Sequence, residues 1–355
     1  MRRPSRVLGG VLTVLFLVLS VPFSAGGAFG SAEDPWSGHA FPDWFPRDPL
    51  PGFSGGYGGN VPADNGARIA ERRILGPRTM DLAIDSPSLG EPGMVRVLFP
   101  PGWQQQPWRR WPVLYLLHGC CEVADYESWT RFTDVREFTA DKEVIVVMPS
   151  DGPAGMYSAW HNHGMVDIPD WETFHLTEVR QILERNFRAG QRRAVAGVSI
   201  GGFGAMHYAF RHPDMFDAAA SYSGMLNTMG PLIPAVVKGI LIREGYYDWR
   251  ALWGDDRLAP HLWRSHNPYD NVESLRGTDL YVSSGNGVSG PLDDGPGFDV
   301  LEPAALRTSE SFVRKLRARD IPVTTDFYGR GTHSWPYWER ALHRSWPLLS
   351  RDFYR

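Results

Sequence analysis

The serine at position 199 lies in a motif that is typical of nucleophilic serines. Its surroundings read Gly197-Val198-Ser199-Ile200-Gly201, which matches Gly-x-Ser-x-Gly. The glycines let the backbone turn sharply between a strand and a helix, so that the hydroxyl is exposed for attack on a carbonyl carbon. An apolar stretch precedes the motif and a helix-compatible segment, 203–211, follows it, which is the setting that the motif requires. An incidental glycine-rich turn is the alternative interpretation.

A histidine that could activate this serine follows it at position 333. The residue lies in a glycine-rich loop, 329–335, after the last strand-like segment of the chain. A chain order of serine, acid and then histidine is that of the α/β-hydrolase fold. His343 also follows the serine, but it falls within a helical pattern, and we interpret it as a surface residue. We therefore predict that His333 takes the proton of Ser199.

Spacing alone does not identify the acid that would orient this histidine. The turn after the strand-like segment 280–283 contains no carboxylate, whereas five acidic residues follow it. These candidates are Asp293, Asp294, Asp299, Glu302 and Glu310. Glu310 borders the apolar face of a predicted helix, where burial raises the pKa of a carboxyl group that has no partner. An ordinary solvated helix residue is the alternative interpretation of Glu310.

A second turn, 118–121, precedes the serine motif and follows the apolar run 113–117. In α/β hydrolases, a backbone N–H after such a strand and the N–H that follows the nucleophile stabilise the oxyanion. The predicted donors are the N–H groups of Cys120 and Ile200. We expect His118, at the end of the strand, to lie at the mouth of the site and to be mostly neutral at pH 7.

Cys120 and Cys121 are the chain's two cysteines, and they are adjacent. A disulfide across one peptide bond departs from ordinary disulfide geometry. The sequence therefore predicts two buried thiols with a packing role, and it assigns chemistry only to the Cys120 backbone.

Apolar runs alternate with helical patterns from about residue 68 onwards, which predicts an α/β fold with a doubly wound, mostly parallel sheet. The predicted strands are 113–117, 144–148, 194–196, 218–222, 280–283 and 323–328. The predicted helices are near 172–187, 202–211, 302–318 and 335–345. Ligands bind at the carboxyl ends of the strands in such sheets.

The ends and the composition of the chain set further expectations. Arginines 2, 3 and 6 precede an apolar run and then small residues, which predicts a signal peptide over 1–32 and hence secretion. Residues 33–66 are rich in proline and glycine, which predicts a linker. We expect residues 67–355 to form the α/β-hydrolase domain. A net charge of −4 with dispersed basic residues argues against a nucleic-acid partner. We expect a monomer.

The chain resembles the antigen 85 mycolyltransferases and the wider esterase family that contains them, over about residues 80–350. The shared segments are Ser86-Pro87-Ser88-Leu89-Gly90, Leu116-Leu117-x-Gly119, Asp125-Tyr126-x-x-Trp129, Trp171-Glu172-Thr173-Phe174, the Ser199 turn, Ser223-Gly224-x-Leu226, Gly285-Asn286-Gly287, Glu310-x-Phe312-Val313-Arg314 and Gly331-Thr332-His333-Ser334-Trp335-x-Tyr337-Trp338. The resemblance implies that Glu310 is the triad acid. Independently of it, we expect Trp335, beside His333, to contact the substrate, since aromatic faces suit sugar or acyl contacts.

The chain also departs from the mycolyltransferases in the turn before the serine motif. Those enzymes have an aspartate and an arginine, in their sugar site, at the positions of His118 and Cys121. The difference implies that trehalose is a poor acceptor here.

These observations together predict a secreted serine esterase or acyltransferase with a Ser199–Glu310–His333 triad and an acyl-enzyme intermediate. The substrate would be an acyl ester or a lipid-like molecule, and water, a sugar or another alcohol would accept the acyl group. The mechanism implies no metal or organic cofactor. The apolar segment 232–242 either covers an acyl channel or simply packs as a helix. The alternatives are a trehalose mycolyltransferase and a non-catalytic cell-wall-binding protein on the same fold.

Overall fold

The computed structural model describes residues 58–122, 124–165 and 168–355. The predicted signal peptide and residues 33–57 of the predicted linker lie outside the described residues. The end of that linker, 58–66, lies against the folded domain. Its Val61 N–H donates a hydrogen bond to Asn186 Oδ1 at 2.7 Å, and Asn186 Nδ2 donates to the Val61 carbonyl at 2.9 Å.

A nine-stranded sheet with the order β1-β2-β3-β5-β4-β6-β7-β8-β9 forms the centre of the fold. The strands are β1 (Arg68–Ile74), β2 (Thr79–Ser86), β3 (Glu91–Leu98), β4 (Trp111–Leu117), β5 (Ile145–Pro149), β6 (Ala189–Val198), β7 (Ala218–Tyr222), β8 (Asp279–Gly285) and β9 (Thr324–Gly329). Strands β4 to β9 pair in parallel, which confirms the predicted mostly parallel sheet and each strand predicted within it.

The antiparallel strands β1 to β3 were not predicted from the sequence. β1 reads RIAERRI, in which four of the seven residues are charged, so it lacks the apolar run that a buried strand shows. It pairs with β2, which pairs with β3, and β3 joins the parallel part through β5.

Helices cover both faces of the sheet. They are α1 (Ser128–Phe132), α2 (Val135–Phe138), α3 (Trp171–Thr173), α4 (Arg180–Asn186), α5 (Ile200–Arg211), α6 (Ile233–Arg243), α7 (Arg250–Trp253), α8 (Pro260–Ser265), α9 (Glu302–Arg317) and α10 (Trp335–Leu349). A π-helical segment, Phe174–Val179, joins α3 to α4. Among the described residues, no helix is long and apolar enough to cross a membrane.

The core consists of two apolar clusters, one on each face of the sheet. Side chains alternate between the faces of a strand. Along β4, Val113 and Leu117 therefore belong to one cluster, and Leu114 and Leu116 belong to the other. Helices α5 and α9 contribute to the first cluster and α10 contributes to the second. The parallel strands are thus buried on both faces, and their carboxyl ends open at one edge of the sheet.

A buried ion pair joins β2 and β3 to the loop that follows β4. Asp81 and Arg96 are cross-strand neighbours, and the Arg96 guanidinium donates two hydrogen bonds to the Asp81 carboxylate at 2.7 and 2.9 Å. Arg96 also donates to Thr130 Oγ1 at 2.7 Å and to Glu127 Oε1 at 3.1 Å. The antiparallel strands therefore hold the segment 125–130, which lies beside the turn at 118–121.

We predict that Arg96→Met lowers the free energy of unfolding by about 3–5 kcal/mol, because it leaves the Asp81 carboxylate buried without its cation. Urea unfolding followed by circular dichroism measures this change. The double variant Asp81→Leu/Arg96→Met should recover most of the loss, since it removes both charges. A double variant that is no more stable than Arg96→Met would contradict this account.

Candidate active site

Ser199 lies at the sharp turn between β6 and α5, at the carboxyl edge of the sheet. Its backbone has φ 55° and ψ −119°, a conformation that residues other than glycine rarely adopt. Its N–H donates a hydrogen bond to the Tyr222 carbonyl at 2.9 Å. A methyl group added to Gly201 would lie 2.3 Å from the His118 carbonyl oxygen, so only glycine fits there. The motif thus provides the strained turn that presents a serine hydroxyl.

His333 follows β9 and borders the same pocket as Ser199. Its Nδ1 lies 2.7 Å from Glu302 Oε2, and both side chains are buried. Its Nε2 is buried and has no hydrogen-bond partner among the described residues. Burial opposes the charged imidazolium, but the hydrogen bond and the charge of Glu302 outweigh it and raise the pKa of His333 above its ordinary value. The pairing with Glu302 therefore fixes the ring and leaves Nε2 without a protein partner at the pocket that also contains Ser199.

Glu302 is the first residue of α9, and its side chain is fully buried. Oε1 accepts hydrogen bonds from Ser223 Oγ at 2.9 Å, from Ser284 Oγ at 2.8 Å and from the Gly285 N–H at 2.6 Å. Asp299 Oδ1 accepts from the Glu302 N–H at 2.8 Å and so fixes the start of the helix. These donors compensate the buried carboxylate and leave Oε2 for the histidine.

The structure corrects the prediction that Glu310 is the partner of His333. Glu310 lies two turns further along α9, where its side chain is 45% exposed and pairs with Arg314 at 3.7 Å. Glu310 is therefore an ordinary solvated helix residue, which was the alternative interpretation of its sequence position. Glu302 was among the five acidic candidates, and its buried contacts with Ser223, Ser284 and His333 distinguish it from the others.

The other acidic candidates lie at different positions near the loop that contains His333. Asp293 accepts hydrogen bonds from Thr332 Oγ1 and, at 2.8 Å, from the Tyr337 hydroxyl, so it tethers the residue before His333. Asp299 caps α9, as described above. Asp294 is exposed.

The turn after β4 lies directly against the nucleophile. A methyl group added to Gly119 would lie 3.4 Å from Ser199 Cβ, and Cys120 lines the pocket. Among the described residues, neither the Cys120 N–H nor the Ile200 N–H donates a hydrogen bond within the protein. The structure therefore places both predicted oxyanion donors beside Ser199.

Cys120 and Cys121 form a disulfide and are only partly buried, which corrects the prediction of two buried thiols. Cys121 has a φ of 76°, and its N–H donates to the Pro153 carbonyl at 2.9 Å. The turn thus brings the two neighbouring sulfurs together, which an extended backbone would not do.

The prediction for His118 is wrong in its placement. The residue is 1% exposed, and it does not border the pocket. Its Nε2 accepts a hydrogen bond from the Asp151 N–H at 3.0 Å and lies 3.1 Å from Asp125 Oδ2. Burial opposes a charge on the ring, whereas Asp125 favours it and raises the pKa of His118. Its position at the strand end did not reveal that Asp125, in the following loop, and Asp151, after β5, both contact it.

The pocket around Ser199 has an aromatic wall with a carboxylate and an apolar wall. Trp335 lies on the aromatic wall, as predicted from its position beside His333, and its Nε1 donates to Glu122 Oε1 at 3.2 Å. Met225, Ile240 and Leu301 form the apolar wall. Sequence reasoning did not select Glu122, since nothing in its spacing connects it with Trp335.

A groove of about 400 Å³ lies next to this pocket, between the start of α6 and α9. Leu301 borders both cavities. Apolar side chains of Leu232, Ile233, Val236 and Ala304 dominate its lining. Among the described residues, no group of three or more His, Cys, Asp or Glu side chains is placed to hold a metal ion.

Comparisons with known families and proteins agree with this geometry. A family model described as "Putative esterase" matches residues 86–349. The diacylglycerol acyltransferase/mycolyltransferase Ag85B of Mycolicibacterium smegmatis is 30% identical over 312 residues, which cover 85% of this chain and 92% of that protein. Esterase Rv1288 of Mycobacterium tuberculosis is 32% identical over 267 residues, which cover 72% of this chain and 56% of that protein.

Two solved structures show the same fold. MPT51 of M. tuberculosis superposes with a TM-score of 0.66 at 23% identity, covering 80% of this chain and 99% of that one. An S-formylglutathione hydrolase from Agrobacterium tumefaciens superposes with a TM-score of 0.62 at 18% identity and with the same coverage. The predicted α/β-hydrolase fold is thereby confirmed.

We predict that Glu302→Gln lowers the pKa of His333, because the carboxylate that stabilises the imidazolium becomes a neutral amide. NMR titration of the His333 ring protons measures this pKa. Glu310→Gln is the matched control, since its exposed carboxylate lies on the same helix without contacting the ring. Equal shifts in the two variants, or a shift in Glu310→Gln alone, would restore Glu310 as the partner.

Proposed function

The chain belongs to the esterase family, and from that premise we propose that it is a serine esterase or acyltransferase that forms an acyl-enzyme on Ser199. The observation that carries the proposal is the buried pairing of His333 with Glu302 at the pocket that also contains Ser199. Serine, histidine and acid with these roles form the catalytic triad of acyl transfer. The triad that we propose is therefore Ser199–Glu302–His333.

The first half of the reaction forms the acyl-enzyme. His333 Nε2 removes the proton from the Ser199 hydroxyl while Oγ attacks the ester carbonyl carbon. The carbonyl oxygen becomes an oxyanion, which the N–H groups of Cys120 and Ile200 stabilise. As the tetrahedral intermediate collapses, the alcohol leaves with the proton that His333 holds. Glu302 stabilises the transient imidazolium and keeps Nδ1 protonated.

The second half transfers the acyl group to an incoming hydroxyl. His333 removes a proton from water or from an alcohol, whose oxygen attacks the acyl carbon, and the proton returns to Ser199. Water gives hydrolysis and an alcohol gives acyl transfer. The indole of Trp335 and the Glu122 carboxylate offer a stacking face and hydrogen-bond acceptors to a polar alcohol. The buried side chain of His118 does not reach the pocket. The identity of residue 118 is therefore no reason to expect that trehalose is a poor acyl acceptor.

The apolar groove beside α9 supports a substrate with a long acyl chain. It adjoins the apolar wall of the pocket at Leu301, so a chain attached to Ser199 has a continuous apolar path. Each methylene group buried there would contribute about 0.8 kcal/mol. We therefore assign to the segment 232–242 the first of its two predicted roles, as one wall of an acyl site. The arginine-led apolar N-terminus supports secretion.

We predict that Ser199→Ala reduces kcat for p-nitrophenyl butyrate by about 10⁶-fold, because no other group replaces the nucleophile. The same substitution should abolish labelling by a fluorophosphonate probe, which reacts with activated serines. Ser265→Ala is the control, since Ser265 is exposed on α8, away from the pocket. Turnover by Ser199→Ala within tenfold of the natural protein would refute the proposed nucleophile.

We predict that Ala304→Trp impairs long-chain esters selectively, because the indole would fill the groove between α6 and α9. If the indole keeps only two methylene groups of the laurate chain out of the groove, kcat/KM for p-nitrophenyl laurate should fall by more than about tenfold. The value for p-nitrophenyl acetate should change by less than about twofold, since its acyl group stays in the pocket. Steady-state kinetics with both esters measures the difference.

Ala318→Trp places the same side chain at the exposed end of α9 and serves as the control. It should leave both esters unaffected. Equal losses for the laurate and acetate esters in Ala304→Trp would show that the groove does not receive the acyl chain.

A further inference from the structure

His118 holds the carbonyl of the peptide unit that joins Gly119 to Cys120, beside Ser199. Its Nδ1 lies 2.6 Å from the Gly119 carbonyl oxygen and donates to it. That oxygen and the Cys120 N–H belong to the same planar peptide unit, in which they point in opposite directions. Fixing the oxygen behind the turn therefore fixes the direction of the N–H in front of it.

The other ring nitrogen is held by the backbone of the loop after β5. Nε2 accepts a hydrogen bond from the Asp151 N–H at 3.0 Å and lies 3.1 Å from Asp125 Oδ2. Asp125 Oδ2 accepts from Ser150 Oγ at 2.8 Å and from the same Asp151 N–H at 3.1 Å. The His118 carbonyl accepts a hydrogen bond from the Tyr157 hydroxyl at 2.9 Å. The side chain and the backbone of His118 are thus both anchored, and none of these contacts lies in the substrate pocket.

We propose that His118 is a positioning residue for the oxyanion hole: through the Gly119 carbonyl it orients and polarises the peptide whose Cys120 N–H stabilises the oxyanion. This inference rests on the proposed function. Hydrogen bonds in a chain polarise one another. This chain runs from the Asp151 N–H to His118 Nε2 and from His118 Nδ1 to the Gly119 carbonyl, and its last donor is the Cys120 N–H of the same peptide unit.

The test compares His118→Leu with the natural protein, using p-nitrophenyl butyrate and an aryl boronic acid, which binds as an analogue of the tetrahedral intermediate. Loss of one oxyanion donor costs about 10²–10³ in kcat, so weakening it should cost about tenfold. KM should change by less than about twofold, since the ground-state ester depends little on this donor. The inhibition constant of the boronic acid should rise by the same factor as kcat falls.

Two amide variants give a signature that a purely structural role would not produce. In His118→Asn the side-chain amide can donate from the position of Nδ1, so kcat and the boronic acid affinity should be largely retained. In His118→Gln the longer amide reaches the position of Nε2 instead and leaves the Gly119 carbonyl without its donor. This variant should therefore lose kcat as His118→Leu does.

His343→Leu is the matched control, because His343 pairs with Asp134 at 2.9 Å in another His–Asp pair that does not border the pocket. It should leave kcat and the boronic acid affinity unchanged. If His118→Leu does not fold, the comparison of His118→Asn with His118→Gln decides. Equal kcat in these two variants, or an effect confined to KM, would overturn the proposal. A natural protein that neither turns over esters nor binds the boronic acid would overturn the proposed function instead.

Discussion

The buried carboxylate of Glu302 is the contact on which the arrangement of the site depends. Its two oxygens accept hydrogen bonds from groups that follow or end three neighbouring strands: Ser223 after β7, Ser284 and Gly285 in β8, and His333 after β9. A buried charge is tolerated only when such donors compensate it. The carboxylate therefore ties the carboxyl ends of these strands together, and the position of the histidine follows from the packing of the sheet.

A second network holds the other side of the pocket. The ion pair of Asp81 with Arg96 links the antiparallel strands to Glu127 and Thr130, and the same loop carries Asp125, which contacts His118. Strands β1 to β3 thus do more than extend the sheet. Through this loop they support the turn that contacts Ser199, although none of their residues lines the pocket.

The sequence predicted those parts of the molecule that depend on local pattern. Runs of apolar and β-branched residues, uninterrupted in 113–117 and 144–148, identified the six parallel strands, and the glycines around Ser199 identified the turn at β6. Glu310 borders the apolar face of a helix, and it was selected because the resemblance to the mycolyltransferases implies it. Glu302 lies eight residues earlier, about 12 Å along the helix axis, and only its contacts with Ser223 and Ser284 identify it as the buried acid. Those contacts join residues far apart in the chain, which periodicity does not report.

The same reason explains the errors at the turn after β4. Its position in the chain placed His118 beside the nucleophile, but the direction of the side chain depends on Asp125 and Asp151, which approach from other segments. The state of the two cysteines likewise depends on the backbone at Cys121, whose positive φ a sequence pattern does not encode.

Leu301 borders both the pocket and the groove, and it immediately precedes Glu302 in the chain. If the groove receives the acyl chain, as we propose, a residue on the acyl path is bonded to the residue that holds the histidine. Substitutions at Leu301 would then alter the acyl path and the first turn of α9 together. Substitutions at Leu232, Val236 and Ala304, further along the groove, would alter the path without touching the Glu302 carboxylate.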